Sequence, residues 1–316
     1  MNLIQKILQS PVMQAQPLVL IDIGASGAIH PIWKQLAPYA TCIAFDADER
    51  DFDPNGSEKK NFKRLLIKRS LVSNQIATNQ PFYLTASPHC SSLLKPNSAS
   101  LAHWSYAPFF EVVKTVQLNT TTISATLQEF GIDYIDWYKS DSQGIDLRLF
   151  KSVPDPIRNA ITVAEFEPGI VDAYEGEDKL KDILQYQEEN NIFWLADLKV
   201  KGRVRMPADS FQKLVPNGFL QKVLSQIGPI APGWAEVTYL NACKTSEAQS
   251  QRELMVGWIA ATLLQQHGFA YTLAEKGIEL YGERLFTEMK ACSSRKIKGG
   301  FFTLKYFSWI KNKLVQ

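Results

Sequence analysis

The run Leu18-Val-Leu-Ile-Asp-Ile23, followed at once by Gly24-Ala-Ser-Gly27, constrains the fold more than any other feature of the chain. A continuous apolar run with β-branched residues reads as a strand covered on both faces, as in a parallel sheet flanked by helices. The glycines that follow allow a tight turn in which the backbone approaches a neighbour or a ligand closely. A helix over 28–36 and a second strand over Thr41–Phe45 complete a strand-helix-strand unit.

The same alternation continues along the chain. Strands are expected at Leu65–Val72, Pro81–Thr85, Val112–Leu118, Tyr134–Ser140, Ile161–Phe166, Phe193–Leu198 and Trp234–Leu240. Helices are expected from Thr122 to a stop at Gly131, over Gly144–Lys151 and over Lys179–Asn190, with two more within Glu247–Gly282. Residues 87–100, rich in Ser, Pro and Asn, read as an active-site loop. The expected fold is α/β: a doubly wound, mostly parallel, seven-stranded sheet with a C-terminal helical extension. The expected division is 1–245 for the sheet domain and 246–316 for the extension.

Composition narrows the function classes. At 316 residues, with 45% hydrophobic and 21% charged residues, the chain has the make-up of an ordinary folded protein. A net charge of +2 argues against nucleic acid as a partner. The four cysteines are scattered without a CxxC pair, which suggests neither a zinc site nor a disulfide framework and fits a reducing cytoplasm. No signal peptide is expected, because Asp22 interrupts the first apolar run. The longest uncharged apolar run, Met255–Leu264, falls well short of the roughly 20 residues that span a bilayer.

The turn 24–27 lies at the carboxyl end of the first strand, where open parallel sheets bind ligands. Asp46 closes the second strand, about 20 residues on, where a carboxylate can accept both ribose hydroxyls of a nucleoside; Asp48 is the fallback. A dinucleotide fingerprint needs a second glycine to admit a pyrophosphate, and Ser26 stands in its place. Asp22, just before the turn, is suited to the amino-acid portion of a methionine-derived ligand. These residues favour S-adenosylmethionine over NAD.

Five collinear pieces carry a resemblance to the FkbM-type methyltransferase family between about residues 18 and 245. They are Ile21-Asp-Ile-Gly-Ala-Ser-Gly, Ala44-Phe-Asp-Ala-Asp, Ser91-Ser-Leu-Leu-Lys-Pro-Asn97, Lys139-Ser-Asp-Ser-Gln-Gly-Ile-Asp146 and Glu165-Phe-Glu-Pro168. The resemblance implies a Rossmann-like methyltransferase fold and an S-adenosylmethionine site taking in Asp22, Gly24, Ala25, Ser26, Gly27, Asp46, Ala47, Ser92 and Gln143. It further implies O-methylation of a sugar hydroxyl in a surface glycan or a secondary metabolite. The chain departs from the family at Asp46-Ala47, where Glu-Pro is usual, at Lys95, where Glu is frequent, and at Asp146, where Glu is usual.

Methyl transfer from a sulfonium is an in-line displacement, so an enzyme chiefly aligns the acceptor and supplies a base where a proton must leave. Asp141, after the strand beside the first, is placed to position the acceptor, act as base or bind the cofactor amine; its alternative role is to cap the next helix. Glu165 and Glu167 end the following strand, and only one is expected to face the crevice. His89, in the Ser- and Pro-rich loop, is better placed as a base than His30 or His103, and His267 reads as structural. Asp141, Asp146, Glu165 and Glu167 are oxygen donors of the kind Mg²⁺ takes. They lack the fixed spacing of a metal motif, and no metal is expected.

From Lys290 onward the chain carries seven Lys or Arg and no acidic residue, interleaved with aromatics. A helix over Phe301–Val315 would be basic and amphipathic. The tail 293–316 is expected either to dock on its own domain or a second subunit, giving a homodimer, or to lie on the inner face of an anionic membrane. Two other readings stand beside a cytoplasmic methyltransferase: a catalytically inactive nucleotide-binding α/β protein, and a membrane-associated scaffold acting through this tail.

Overall fold

The computed structural model describes residues 2–24, 30–45, 61–227, 231–242 and 249–300. Ala25, Ser26, Gly27, Asp46, Ala47, Asp48 and the tail 301–316 lie outside the described residues. The chain divides into two compact units, Val19–Tyr239 and a second made of Met1–Leu18 with Leu240–Gln316. The first 18 residues therefore group with the C-terminal extension, not with the sheet domain as the expected 1–245 division had it.

Two short helices, α1 (Leu3–Leu8) and α2 (Pro11–Ala15), precede the sheet. The chain then forms β1 (Leu18–Ile23), β2 (Ala40–Phe45) and β3 (Arg64–Lys68). A smaller sheet of β4 (Leu71–Val72), β5 (Ala77–Thr85) and β6 (Val112–Thr121) follows, with the short α3 (Ser98–Leu101) between β5 and β6. Then come α4 (Ile123–Phe130), β7 (Trp137–Ser140), α5 (Asp146–Ser152), α6 (Asp155–Ala160), β8 (Val163–Phe166) and α7 (Leu180–Asn190). The sheet domain ends with β9 (Phe193–Arg203), α8 (Ala208–Leu214), α9 (Gly218–Ile227) and β10 (Ala231–Asn241).

The main sheet has seven strands in the order β3-β2-β1-β7-β8-β10-β9. β2 with β3, β1 with β7 and β7 with β8 are parallel. Just past β8, Gly169 bridges Trp234 of β10 in the antiparallel sense. The end of β9 also meets the beginning of β10: a Cβ on Gly202 would lie 1.8 Å from the Ala231 carbonyl oxygen. The sheet is thus mostly parallel, with β10 reversed and wedged between β8 and the edge strand β9. Strand order reverses at β1, which has β2 on one side and β7 on the other. That reversal opens a crevice at the carboxyl ends of β1 and β7.

The covered strand read from the sequence is present. Leu20 and Ile21 are wholly buried and Leu18, Val19 and Ile23 almost so; each such side chain stabilises the fold by roughly 1.5–3 kcal/mol. α4 also has the ends its sequence announced. The Thr122 hydroxyl accepts from the Ala125 amide at 3.1 Å, and Gly131 closes the helix in the left-handed region at φ 66°.

Three local expectations change. The helix expected over 28–36 is instead a pair of 3₁₀ turns, Pro31–Gln35 and Ala37–Tyr39, in the part that is described. Pro31 opens the first turn, and Pro38 bars continuation as one helix because its ring excludes the required hydrogen bond. The strand expected over Leu65–Val72 is divided between two sheets, β3 and β4, at the polar step Arg69-Ser70. β9 runs five residues beyond the expected Leu198, to Arg203.

In the second unit, α10 (Gln251–Leu263), α11 (His267–Tyr281) and α12 (Arg284–Gly300) follow one another. α10 is buried continuously from Leu254 to Ala261, as befits a helix apolar all round. A capping box between Ser250 and Glu253 starts it, and the Trp258 indole donates to Ser293 Oγ at 2.9 Å. Among the described residues no helix is long and apolar enough to cross a membrane.

Candidate active site

The crevice is built by short-range demands of the chain. At the end of β1, Gly24 has φ 77°, and a Cβ there would lie 2.3 Å from the Asp141 carbonyl oxygen. Only glycine lets β1 and the end of β7 come this close. The Asp141 amide donates to the Ile23 carbonyl at 3.0 Å and the Gly24 amide to the Phe45 carbonyl at 3.2 Å, so three strand ends are locked together.

Beyond β7 the chain winds into a compact loop around Asp146. Its carboxylate accepts from the Ser140 hydroxyl, from the Ser142 amide at 3.0 Å and from the Ser142 hydroxyl at 2.8 Å, all at Oδ1. The side chain is fully buried, and Oδ2 has no partner among the described residues. Burial, only partly opposed by these hydrogen bonds, pushes its pKa up to about 7. Asp146 turns back on its own loop and not toward the crevice.

That loop presents Asp141 and Gln143. Gln143 stands in the left-handed region at φ 57°, uncommon for a residue with a side chain and strained by of order 1 kcal/mol or more. It is held there from three sides. The Ser92 hydroxyl donates to its carbonyl at 2.7 Å, its own amide donates to the Asp141 carboxylate, and its Oε1 lies 2.8 Å from the Tyr174 hydroxyl. The Tyr174 hydroxyl also lies 2.9 Å from the Cys90 carbonyl. Ser92 therefore serves by holding Gln143. Burial raises the Asp141 pKa, against the lowering effects of Lys139, the Gln143 amide and His89.

A cleft of about 420 Å³ opens over these residues. The floor is Asp141, Gln143, Gly144 and Glu167, at the carboxyl ends of β7 and β8. One wall comes from the β5–β6 connection and carries Ser87, His89, Cys90, Tyr106 and Phe110; the other carries Tyr174, Glu177, Arg203 and Trp234. The small sheet thus acts as a bracket that hangs residues 86–111 over the main sheet. The Ser87 amide donates to the Phe109 carbonyl at 3.0 Å, and the Asn97 amide to the Ala173 carbonyl at 2.9 Å, pinning the connection at both ends. The loop expected over 87–100 does line the cleft.

Of the three residues expected to do chemistry, Asp141 and His89 meet in the cleft and Glu165 does not. Glu165 lies in register with Lys139 on β7 and, through it, with Asp22 on β1. Lys139 donates to Asp22 Oδ1 at 2.8 Å, and the Trp137 indole donates to Glu165 Oε2 at 2.9 Å. This row of acid, base and acid is a structural tie across three strands. Burial pushes Glu165 up to about 7. Burial by itself would lower Lys139, but Asp22, Asp141 and Glu165 more than offset it and raise its pKa.

Glu167 is the carboxylate that reaches the cleft. Residues two apart in a strand share a face, but β8 ends at Phe166 and the backbone leaves the sheet before Glu167. Burial first, then neighbouring Asp141, Glu236 and Asp146, raise its pKa to about 9, so it keeps its proton at neutral pH. The Cys90 thiol, pushed up to about 12 by burial, is no nucleophile.

Among the remaining candidates, Asp22 is engaged by Lys139, so its carboxylate does not wait open for a ligand amine. Gly24 holds its expected place; Ala25, Ser26, Gly27, Asp46 and Ala47 fall outside the described residues. His30 lies tilted against Trp33 with ring centres 5.7 Å apart, and its buried Nδ1 has no partner among the described residues. Burial, and then Lys139, lower its pKa. His103 is exposed and away from the cleft, and His267 belongs to the other unit. Among the described residues no three His, Cys, Asp or Glu side chains are grouped to hold a metal.

No family model, curated protein or solved structure matches the chain.

Sequence reasoning passed over Arg203, Trp234, Tyr106, Phe110 and Tyr174. Arg203 closes β9, and the alternating cations Lys199, Lys201 and Arg203 were the one signal that this strand ends in charge. The aromatics carried no local signal, because they converge from segments far apart in the chain.

Proposed function

We propose that the chain is an S-adenosylmethionine-dependent methyltransferase that methylates a hydroxyl oxygen, most simply that of a sugar in a glycan or secondary metabolite. The observation that carries the reading is the pressing of Gly24 against Asp141 at the strand-order reversal, with a small-molecule cleft opening directly beside it. Near the paired Lys139 and Asp22, His30 Nδ1 is buried and without a partner among the described residues, and it suits the amino-acid end of the cofactor. Gly24 and the segment after it would hold the cofactor's backbone side, and Asp46 its ribose.

When bound, the cofactor supplies a methyl group on a sulfonium, which leaves as the thioether once the acceptor oxygen bonds to the methyl carbon. The chain orients the acceptor and removes its proton. Asp141, held by Gln143, faces both the strand-order reversal and the cleft, so its carboxylate is the group placed to align the hydroxyl. His89, exposed at the cleft mouth and electrostatically coupled to Asp141, is placed to take the proton and pass it to solvent. Protonated Glu167 donates a hydrogen bond and adds no charge to the site. The bracket of residues 86–111 covers this chemistry from above.

Calorimetric titration with S-adenosylmethionine and S-adenosylhomocysteine tests the reading, with NAD as control and Asp46→Ala as variant. Both sulfur nucleosides are expected to bind, NAD is not, and the variant is expected to lose at least about tenfold in affinity, about 1.4 kcal/mol. Absence of nucleoside binding to the parent protein would refute the proposal. Normal binding by Asp46→Ala would remove the ribose contact from it.

A further inference from the structure

The cleft wall formed by Arg203 and Trp234 has no part in the cofactor reading and is built for something else. The Arg203 guanidinium lies over the Trp234 ring, 5.4 Å from its centre, and one of its nitrogens donates to the Gly202 carbonyl at 3.1 Å. Among the described residues no carboxylate forms an ion pair with it. A stacked guanidinium keeps its fork of donors pointing in a fixed direction, which suits bidentate recognition of a carboxylate or phosphate.

Its surroundings are rigid and aromatic. Tyr106 sits edge-on to Trp234 at 6.1 Å and tilted to Phe110 at 5.7 Å, and Phe110 packs on Tyr174 at 5.4 Å. These rings join Trp104 and Leu101 in a core cluster of their own. A wall held this way stacks against a ring without rearranging. The floor opposite supplies hydroxyl partners in Asp141 and Glu167, which a polyhydroxylated ring uses better than a plain aryl group. The cleft volume of about 420 Å³ falls within the roughly 300–1,000 Å³ usual for small-molecule sites.

The geometry points to an acidic sugar as the ligand of this cleft, its carboxylate or phosphate on Arg203 and its ring against the aromatic wall. The charge balance agrees. Burial raises the pKa of Glu167 to about 9, so that carboxyl adds no negative charge at pH 7, and Glu177 on the same wall is paired with Lys179 at 3.4 Å, which leaves the Arg203 cation for an anionic ligand. Calling this ligand the methyl acceptor rests on the proposed function; the recognition of an acidic sugar does not.

The test titrates the full chain, with and without S-adenosylhomocysteine, against D-glucuronate, glucose 6-phosphate, neutral methyl glucoside and the aryl acid 4-hydroxybenzoate. At least one acidic sugar is expected to bind tenfold or more tightly than methyl glucoside; glucuronate identifies a carboxylate ligand and glucose 6-phosphate a phosphate. Arg203→Gln should erase that preference, whereas Arg203→Lys, which keeps the charge, should retain part of it. Falling affinity with added salt in the parent protein gives the same answer without any variant. Equal binding of acidic and neutral sugars, a preference for acids untouched in Arg203→Gln, or binding of 4-hydroxybenzoate alone overturns the inference. Acidic-sugar binding without nucleoside binding upholds it while sinking the methyltransferase reading; nucleoside binding without acid preference does the reverse.

Discussion

Replacing Gly24 with alanine tests the geometric basis of the site. Two penalties add. At φ 77° an L-residue is strained by roughly 1–2 kcal/mol. The new methyl would also stand 2.3 Å from the Asp141 carbonyl oxygen, which belongs to backbone and cannot swing away. Separating the ends of β1 and β7 to relieve that overlap adds about 1–3 kcal/mol, by analogy with overpacked cores. The expected loss is therefore about 2–5 kcal/mol. Gly131→Ala separates the two penalties, because Gly131 has a similar φ of 66° and nothing within 4 Å of its Cβ position. Urea denaturation followed by tryptophan fluorescence, with unchanged m-values, should place Gly24→Ala at least about 1 kcal/mol below Gly131→Ala. Since Asp141 must move, the Gly24 variant should also bind S-adenosylhomocysteine more weakly, and Gly131→Ala should not. Equal destabilisation by the two substitutions would refute the close-approach argument.

Two further outcomes follow from the buried charges. Burial holds the Asp146 pKa near 7 in the folded chain, above the ordinary carboxylate value of 3.8. The stability this lends is complete below about pH 3.8 and is lost as pH rises through 7. Asp146→Asn, which keeps an acceptor oxygen for Ser140 and Ser142 but cannot ionise, should remove about 1 kcal/mol of the fall in stability between pH 6 and 8.5; an unchanged pH slope would place the titration elsewhere. Lys139→Met leaves Asp22 and Glu165 without their shared cation, and because the pair is only partly exposed the loss should be about 2–4 kcal/mol. The double variant Asp22→Asn/Lys139→Met should recover at least half of it, as read from urea midpoints. Additive losses would show that the pair is not coupled.

The sequence alone determined the kind of elements and their order, because strand and helix periodicity, caps and turn glycines act within a few residues. It located β1 and Gly24 at its end, α4 between Thr122 and Gly131, and the first two helices of the C-terminal unit. It also picked out Asp141, Gln143 and the 87–100 loop, since motifs at strand ends mark where a parallel sheet leaves its crevice. Its errors arose where distant residues compete. Nothing near Leu71–Val72 says that this pair leaves β3 for another sheet, and nothing near residues 1–18 says that they join the C-terminal unit. The partner of Asp22 is a lysine brought alongside by strand register, 117 residues away in the chain. Arg203, Trp234 and Tyr106 line one cleft only because β9, β10 and the β5–β6 connection converge there. Which carboxylates keep their protons was likewise beyond the sequence, because pKa depends on burial, and burial exists only once the chain has closed around the group.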